Sequence, residues 1–229
     1  MFLDLDGTLV DIAPRPELVH MPPRLLDLLL RLHTALSGAL AVISGRPLGQ
    51  LDALLTPWRP AAAGEHGAQC RLPSGDLAVA RPLPAVPVDW RLAADALASE
   101  IAGIVVEQKA TGIAVHYRQA PASERRVHDV LGRLAAQRPR DFTAMPGLML
   151  LEIRPRAVDK GVAVETLMQL QPFAGRIPVF VGDDVTDEDG FRAAEALGGY
   201  GLQVHRHFPG GAAEVREWLE GVLKILQAE

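Results

Sequence analysis

The stretch Met1-Phe-Leu-Asp-Leu-Asp-Gly-Thr8 opens the chain as a short apolar strand that runs into two alternating carboxylates and a glycine. Side chains two positions apart on a strand share a face, so Asp4 and Asp6 are predicted to leave the strand end together. Gly7 allows a sharp turn or a close backbone approach that a larger residue resists. One carboxylate can attack phosphorus while the other moves protons, and both can serve a hard cation. The pattern alone is common, however, and also fits an acidic strand end without a function.

After this first strand, and again from residue 160, the sequence alternates between strand patterns and helix patterns. Strand, helix and strand joined by short links predict an α/β core with a parallel sheet and right-handed crossovers. The predicted core strands are 2–5, 39–43, 61–64, 178–181 and 200–204, and the predicted helices are 22–36, 47–55, 160–170, one that begins at 187, and 212–227.

A different pattern occupies the middle of the chain. Helix, hairpin, helix and hairpin predict an inserted α+β domain with an antiparallel sheet. The predicted division is a core of residues 1–81 and 156–229 and an inserted domain of residues 82–155, with the proline-rich segment 81–87 as a hinge or linker. The predicted inserted elements are helices 88–101 and 123–137 and strands 104–108, 113–117, 142–145 and 148–153, the last two around a Pro146-Gly147 turn.

Composition narrows the class of protein. A chain of 229 residues with 48% hydrophobic residues can build a packed core, and a net charge of −5 without basic clusters argues against nucleic acid as a partner. The single Cys70 rules out an internal disulfide and fits a reducing compartment, so we expect a cytoplasmic protein, and we expect a monomer. Apolar runs are too short to span a bilayer, and Asp4 and Asp6 interrupt any signal peptide. The sequence leaves open whether native residues precede Met1.

Two further motifs stand where predicted strands give way to helices. Ser44-Gly45-Arg46 offers a hydroxyl and backbone N–H groups at a helix start, which suit a phosphoryl oxygen, although Ser44 also fits a simple helix N-cap. Lys160 begins the helix after the inserted domain, where its ammonium can hold a phosphate and an attacking carboxylate, although a solvated lysine is the commoner case. Ligands bind at this edge of open parallel sheets.

The motif Gly182-Asp-Asp-Val-Thr-Asp-Glu188 is the most specific in the chain. Its gathered aspartates repel one another, so they need a cation or a lysine nearby. Helix capping explains Thr186 or Asp187, but in our interpretation it does not explain the adjacent pair Asp183 and Asp184.

The four motifs, in this order and at strand ends, resemble the haloacid dehalogenase (HAD) superfamily of phosphotransferases over nearly the whole chain. The insertion resembles the superfamily's substantial C2-type cap on a Rossmann-like core. Within that superfamily, the motif at 182–188 is similar to the signature of trehalose-6-phosphate phosphatases. Further matches to that family are Gly64-Glu-His-Gly67, Val106-Glu-Gln-Lys109, His116-Tyr-Arg118 and Leu151-Glu-Ile-Arg-Pro155.

The resemblance implies roles in the core. Asp4 is the nucleophile that becomes an aspartyl phosphate, and Asp6 is the general acid and base. Asp4, Asp183 and the backbone carbonyl of Asp6 hold Mg²⁺. The other implied residues stabilise the phosphoryl group or orient the lysine, the water and the metal shell: Ser44, Lys160, Gly45, Arg46, Asp184 and Asp187.

The resemblance also assigns the cap residues that contact the sugar, namely Glu107, Lys109, Arg118 and Glu152. Without the resemblance, these would read equally well as cross-strand ion pairs. Glu65 and His66 either approach the substrate or only shape a turn.

The implied function is Mg²⁺-dependent hydrolysis of trehalose 6-phosphate, the last step of trehalose biosynthesis. One alternative is a related capped phosphatase for sucrose phosphate or mannosylglycerate phosphate, which the core motifs do not distinguish. A more distant alternative is a phosphoacceptor signalling module, which makes no use of Asp6 or of the large insertion.

Overall fold

A computed structural model describes residues 1–13, 18–78 and 83–228. The chain divides into two compact units, a core unit of Met1–Ala78 with Asp159–Glu229 and an inserted unit of Val79–Val158. The predicted boundary between residues 81 and 82, and with it the start of the predicted hinge, lies outside the described residues. The second predicted boundary, after residue 155, lies three residues before the end of the inserted unit.

The strands in chain order are β1 (Phe2–Leu3), β2 (Ala41–Ile43), β3 (Ala61–Gly64), β4 (Gln69–Arg71), β5 (Val105–Gln108), β6 (Ile113–His116), β7 (Phe142–Gly147), β8 (Leu150–Pro155), β9 (Val179–Gly182) and β10 (Tyr200–Gln203). The α-helices are α1 (Leu25–Ala35), α2 (Leu48–Leu55), α3 (Val88–Glu100), α4 (Glu124–Gln137), α5 (Lys160–Met168), α6 (Glu188–Ala196), α7 (Val204–His207) and α8 (Ala212–Leu226).

The core unit is built on one six-stranded sheet in the order β10-β9-β1-β2-β3-β4. The first five strands pair in parallel, as predicted, and β1 lies between β9 and β2. The carboxyl ends of these three strands therefore lie side by side, which brings the motifs at residues 4–8, 44–46 and 182–188 to one edge of the sheet.

Alternating side chains bury both faces of this sheet. Leu3, Val42 and Val181 pack in a cluster with α1, α2 and α8. Their neighbours Phe2, Ile43 and Phe180 pack in a second cluster with α5 and α6. Because each strand is apolar on both faces, the sheet is sandwiched between two helical layers.

The inserted unit carries a four-stranded sheet in the order β5-β6-β8-β7, and every pair is antiparallel. One face, with Ile113, Val115 and Ile153, packs on α3 and α4 around the buried Trp90 and Phe142. The predicted α/β core with an inserted antiparallel α+β unit is thus confirmed.

Three local predictions were wrong. The sequence predicted no strand at residues 69–71, but β4 forms there and pairs antiparallel to β3, because the few residues between them are too short for a parallel crossover. Pro146 and Gly147 were predicted to form a turn, yet both pair with β8, and residues 148–149 connect the strands. The strand predicted at 200–204 ends at Gln203, where α7 begins. Among the described residues, the helices are all too short or too polar to cross a bilayer.

Candidate active site

Lys160 joins two of the predicted aspartates in the core unit. Asp4 follows β1 and stays in the sheet through its N–H, which donates to the Val181 carbonyl oxygen at 2.9 Å. Lys160 is the first residue of α5, and its Nζ lies 2.7 Å from Asp4 Oδ1 and 2.6 Å from Asp187 Oδ1. All three side chains are at least 94% buried, so water screens these contacts little. The lysine therefore fixes the orientation of both carboxylates.

The loop after β9 explains the remaining aspartates. Asp187 Oδ2 accepts hydrogen bonds from the backbone N–H groups of Asp183 and Asp184, each at 3.0 Å. The Asp184 side chain forms the reciprocal half of this capping box and accepts from the Val185 N–H at 2.6 Å. Our interpretation that capping does not explain Asp184 was therefore wrong: Asp184 is the N-cap of the turn that carries Asp187. Of the adjacent pair, Asp183 is the one whose role capping does not explain.

Charge and burial set the protonation of this cluster. Burial raises the pKa of Asp4 well above its usual value, and the Lys160 ammonium only partly opposes this. Burial, followed by the Asp187 carboxylate, raises the pKa of Asp183 to about 7. Burial lowers the pKa of Lys160, but the Asp187 and Asp4 carboxylates outweigh it, so that this pKa lies above its ordinary value. The site holds more negative charge than one lysine offsets.

Carboxylate oxygens of Asp4, Asp183 and Asp187 lie within 4.8 Å of one another. Both oxygens of Asp187 already accept hydrogen bonds, from Lys160 and from two backbone N–H groups. Asp4 and Asp183 are therefore the pair best placed to hold a cation, and hard divalent cations prefer such oxygen ligands. The raised pKa values of this pair fit that reading, because a cation would offset the burial and the repulsion by neighbouring carboxylates that raise them.

Gly7 and Thr8 shape the wall beside Asp183. Gly7 has a φ of +83°, in the left-handed region that favours glycine, and a Cβ on it would collide with the Asp183 carboxylate. Thr8 Oγ1 donates to Asp183 Oδ1 at 3.4 Å. Both parts of the expectation for Gly7, a turn and a close approach, are confirmed.

Asp6 is held by a partner that the sequence did not indicate. Arg46 Nε donates to Asp6 Oδ2 at 2.6 Å, and its Nη2 donates to Oδ1 at 2.8 Å, so the guanidinium clamps both oxygens. The Arg46 backbone N–H donates to Ser44 Oγ at 3.2 Å. The buried Ser44 follows β2, beside β1. The two carboxylates of the opening motif thus have different cationic partners, Lys160 for Asp4 and Arg46 for Asp6.

In the inserted unit, the predicted sugar-contacting residues lie largely on one sheet face. Glu107, Ala114 and Glu152 are opposite one another on β5, β6 and β8, on the face away from α3 and α4. Lys109 Nζ lies 2.9 Å from Glu152 Oε1, and both side chains are buried. The fourth predicted residue, Arg118, lies two positions beyond β6, where its Nη2 donates to the Leu148 carbonyl at 3.4 Å.

Two residues of this face were missed. His116 Nε2 lies 3.4 Å from Glu107 Oε2. Burial by itself would raise the pKa of Glu107, but the hydrogen bond to His116 and the nearby Lys109 charge together bring this pKa below its usual value. Arg154 is buried two residues after Glu152 on β8. The period of two along each strand could have found both, because it places His116 and Arg154 on the face of Glu107 and Glu152.

The sequence has counterparts among known proteins. The family model for trehalose-phosphatase matches residues 2–217. The chain belongs to the trehalose-phosphatase family. The trehalose-6-phosphate phosphatase of Escherichia coli K12 is 38% identical over 232 residues, which cover 99% of this chain and 87% of that protein. A probable trehalose-phosphate phosphatase of Sinorhizobium fredii NGR234 is 37% identical over 99% of this chain and 86% of its own length.

Solved structures agree with this family fold. The C-terminal domain of the trehalose-6-phosphate phosphatase of C. albicans superimposes with a TM-score of 0.82 at 19% identity, over 98% of this chain and 92% of that one. A HAD-superfamily phosphatase of Bacteroides thetaiotaomicron matches with a TM-score of 0.52 at 16% identity, over 84% of this chain and 80% of its own. At these identities the likeness shows the HAD fold alone.

As a member of the trehalose-phosphatase family, the chain is a phosphoric monoester hydrolase with the HAD fold that acts on a small sugar phosphate. The family implies a divalent metal, and the acidic cluster of the core unit fits one. The family resemblance drawn from the motifs is thus confirmed.

Proposed function

We propose that this enzyme hydrolyses trehalose 6-phosphate to trehalose and phosphate through an aspartyl phosphate on Asp4, with Mg²⁺ as the metal. The observation that carries the proposal is the buried Lys160 ammonium between Asp4 and Asp187, with Asp183 beside them. This arrangement supplies an oriented carboxylate nucleophile and a fixed positive charge, which are what phosphoryl transfer needs. The 38% identical relative of E. coli is named for this substrate.

In the first step, a carboxylate oxygen of Asp4 attacks phosphorus, and the bond from phosphorus to the sugar oxygen breaks. Asp6 gives its proton to the departing sugar oxygen. Lys160 and Ser44 bind the phosphoryl oxygens and stabilise their charge as the bond breaks. Mg²⁺, bound by Asp4, Asp183 and the backbone carbonyl of Asp6, would supply further neutralisation of charge on the phosphoryl group.

In the second step, Asp6 takes a proton from a water molecule, whose oxygen attacks phosphorus. The bond from phosphorus to Asp4 breaks, which frees phosphate and restores the carboxylate. Asp187 acts through Lys160, which it holds at 2.6 Å, and Asp184 acts by capping the turn that carries Asp187. Gly45 and Arg46 support the Ser44 loop, and Arg46 also orients Asp6.

We further propose that residues 82–155 are the cap that selects the sugar. Glu107, Lys109 and Glu152 place charged oxygen and nitrogen atoms on one sheet face, and Arg118 adds a guanidinium next to β6. Such groups suit the hydroxyls of a disaccharide. We also propose that the enzyme acts as a monomer.

Phosphate release from a panel of sugar phosphates, with and without a chelator, tests the proposal. We expect release from trehalose 6-phosphate with Mg²⁺, little release from sucrose 6-phosphate or glucose 6-phosphate, and none after chelation. Asp4→Asn should abolish release, whereas Asp27→Asn, which changes an exposed carboxylate on α1, should not. Equal rates across the panel would contradict the proposed substrate, and an active Asp4→Asn variant would contradict the proposed nucleophile.

A further inference from the structure

The turn after β3 adopts an unusual backbone conformation. Glu65, His66 and Gly67 have φ angles of +47°, +57° and +105°, so three successive residues lie in the left-handed region. Only glycine adopts this region without steric cost, yet Glu65 and His66 carry side chains, and both are buried. Such a conformation persists only where the surroundings determine it, and it is commonest at functional sites.

One side of the turn holds the Ser44 loop. The Glu65 N–H donates to the Arg46 carbonyl at 2.9 Å, and the His66 N–H donates to the Ser44 carbonyl at 3.0 Å. Between these two bonds, the His66 ring lies against Gly45. A Cβ on Gly45 would stand 2.7 Å from His66 Cε1 and Nε2, closer than real contacts allow. The imidazole therefore occupies the space that a side chain at position 45 would need.

The other side of the turn meets the start of α5. A Cβ on Gly67 would stand 2.5 Å from the Asp159 carbonyl oxygen. Asp159 is the N-cap of α5, because its Oδ1 accepts from the Val162 N–H at 2.9 Å. Lys160 follows immediately. The turn is thus packed between the loop that carries Ser44 and the helix start that carries Lys160.

We infer that the Glu65–Gly67 turn sets the spacing between Ser44 and Lys160, and that His66 is a positioning residue whose ring supports the backbone at Gly45. The inference rests on the proposed function in that both residues are assigned to the same phosphoryl group. His66 does not itself contact the reacting atoms in this scheme. It acts through the Ser44 loop, so its loss should weaken phosphoryl binding in the transition state for every substrate alike.

A double-mutant cycle tests the contact between His66 and Gly45. Gly45→Ala should lower kcat/KM about 100-fold, because it drives the loop away from the ring, and displacements near 1 Å have effects of this size. His66→Gly removes the ring and suits the positive φ of the position. In the His66→Gly background, Gly45→Ala should cost only about threefold more, because the collision is gone and the two changes are coupled.

The readouts separate positioning from folding. Each variant is assayed on trehalose 6-phosphate and on p-nitrophenyl phosphate, with thermal unfolding and orthovanadate affinity measured by calorimetry. We expect equal losses on both substrates and weaker vanadate binding, since vanadate imitates the transferring phosphoryl group. His33→Ala removes another histidine ring of the core unit, packed on Trp58, and should leave kcat/KM and vanadate binding at wild-type values.

Losses that simply multiply in the double variant would overturn the inference, as would a Gly45→Ala protein that unfolds earlier but keeps its kcat/KM and vanadate affinity. Failure of the proposed function looks different. In that case wild-type protein releases no phosphate from trehalose 6-phosphate, while the coupling of Gly45 and His66 is still read from vanadate binding, which requires no turnover.

Discussion

Replacing Arg46 with glutamine should disturb Asp6 but not Asp4. The loss of activity should therefore depend on how much a substrate needs the proton of Asp6. Arg46 clamps both oxygens of Asp6, the proposed acid, whereas Lys160 holds Asp4. A sugar alkoxide is a poor leaving group and needs the proton of Asp6, whereas p-nitrophenolate leaves without one. Arg46→Gln should therefore slow trehalose 6-phosphate much more than p-nitrophenyl phosphate.

The clamp sets the size of the effect through the position of Asp6, because its hydrogen bonds already exist in the free enzyme and only lost proton transfer in the transition state lowers kcat/KM. General acid catalysis contributes about 100- to 10,000-fold. The Arg46 side chain is 10% exposed, but that of Asp6 is 33% exposed, so water can hold Asp6 in part and only part of this contribution is lost. We take about 1.5–2 kcal/mol, which corresponds to roughly a 10- to 30-fold fall in kcat/KM for the sugar phosphate. The fall for p-nitrophenyl phosphate should stay within about threefold, because general acid catalysis contributes little there.

The assay compares kcat/KM for the two substrates, since this ratio reports the steps through formation of the aspartyl phosphate. Hydrolysis of that intermediate also uses Asp6, so a burst of p-nitrophenol should accompany the variant. Arg59→Gln is the matched control, because Arg59 is 69% exposed and pairs with Asp52 at 2.7 Å in the same unit. Equal falls on both substrates, or a faster reaction with the sugar phosphate, would refute the positioning role.

Three further predictions concern other contacts of the core unit and the inserted unit. In metal-free protein, burial and Asp187 raise the pKa of Asp183 from 3.8 to about 7, so the native state binds a proton that the unfolded state has released. Stability in urea should therefore fall as the pH rises from about 4 to about 7, and Asp183→Asn should flatten that slope. Lys109→Met leaves the Glu152 carboxylate buried and should cost about 3–5 kcal/mol of unfolding free energy, much of which the double variant with Glu152→Leu should regain. Gly7→Ala should lower metal-dependent phosphate release about 100-fold by displacing the Asp183 carboxylate, which is a proposed metal ligand.

A different result would contradict each of these predictions. A urea midpoint that rises with pH in chelator would reverse the sign argued for Asp183. Unchanged stability in Lys109→Met would show that the pair contributes nothing. Gly75→Ala is the control for Gly7, because Gly75 also has a positive φ, of +92°, but no atom lies within 4 Å of its added Cβ. Equal activity losses in both glycine variants would assign the effect to backbone strain rather than to the collision.

The fold was predictable because local patterns and topology agree. Apolar strands such as 39–43 and amphipathic helices such as 22–36 alternate with short links, and that order admits few arrangements besides a parallel sheet. The antiparallel β4 was missed because three residues with a polar Gln69 and Arg71 carry little strand signal. Element ends were also imprecise, since the backbone hydrogen bonds that end a strand or helix depend on its neighbours.

The sequence by itself predicted that Asp4, Ser44, Lys160 and Asp183 meet at one edge of the core sheet. Carboxyl ends of adjacent parallel strands meet at one edge, and motifs placed at those ends meet with them. In this way the opening pair of carboxylates could be recognised as part of a candidate phosphotransfer site, and the resemblance of the motifs pointed to the family.

Only the tertiary structure decided how the side chains pair. Lys160 reaches Asp4 across 156 positions of the chain, and Arg46 reaches Asp6 across 40. The choice of partner depends on distances of a few tenths of an ångström and on which oxygens the backbone has already engaged, as the cap at Asp184 shows. Residue type and spacing carry no such information, because packing sets those distances after the chain has folded.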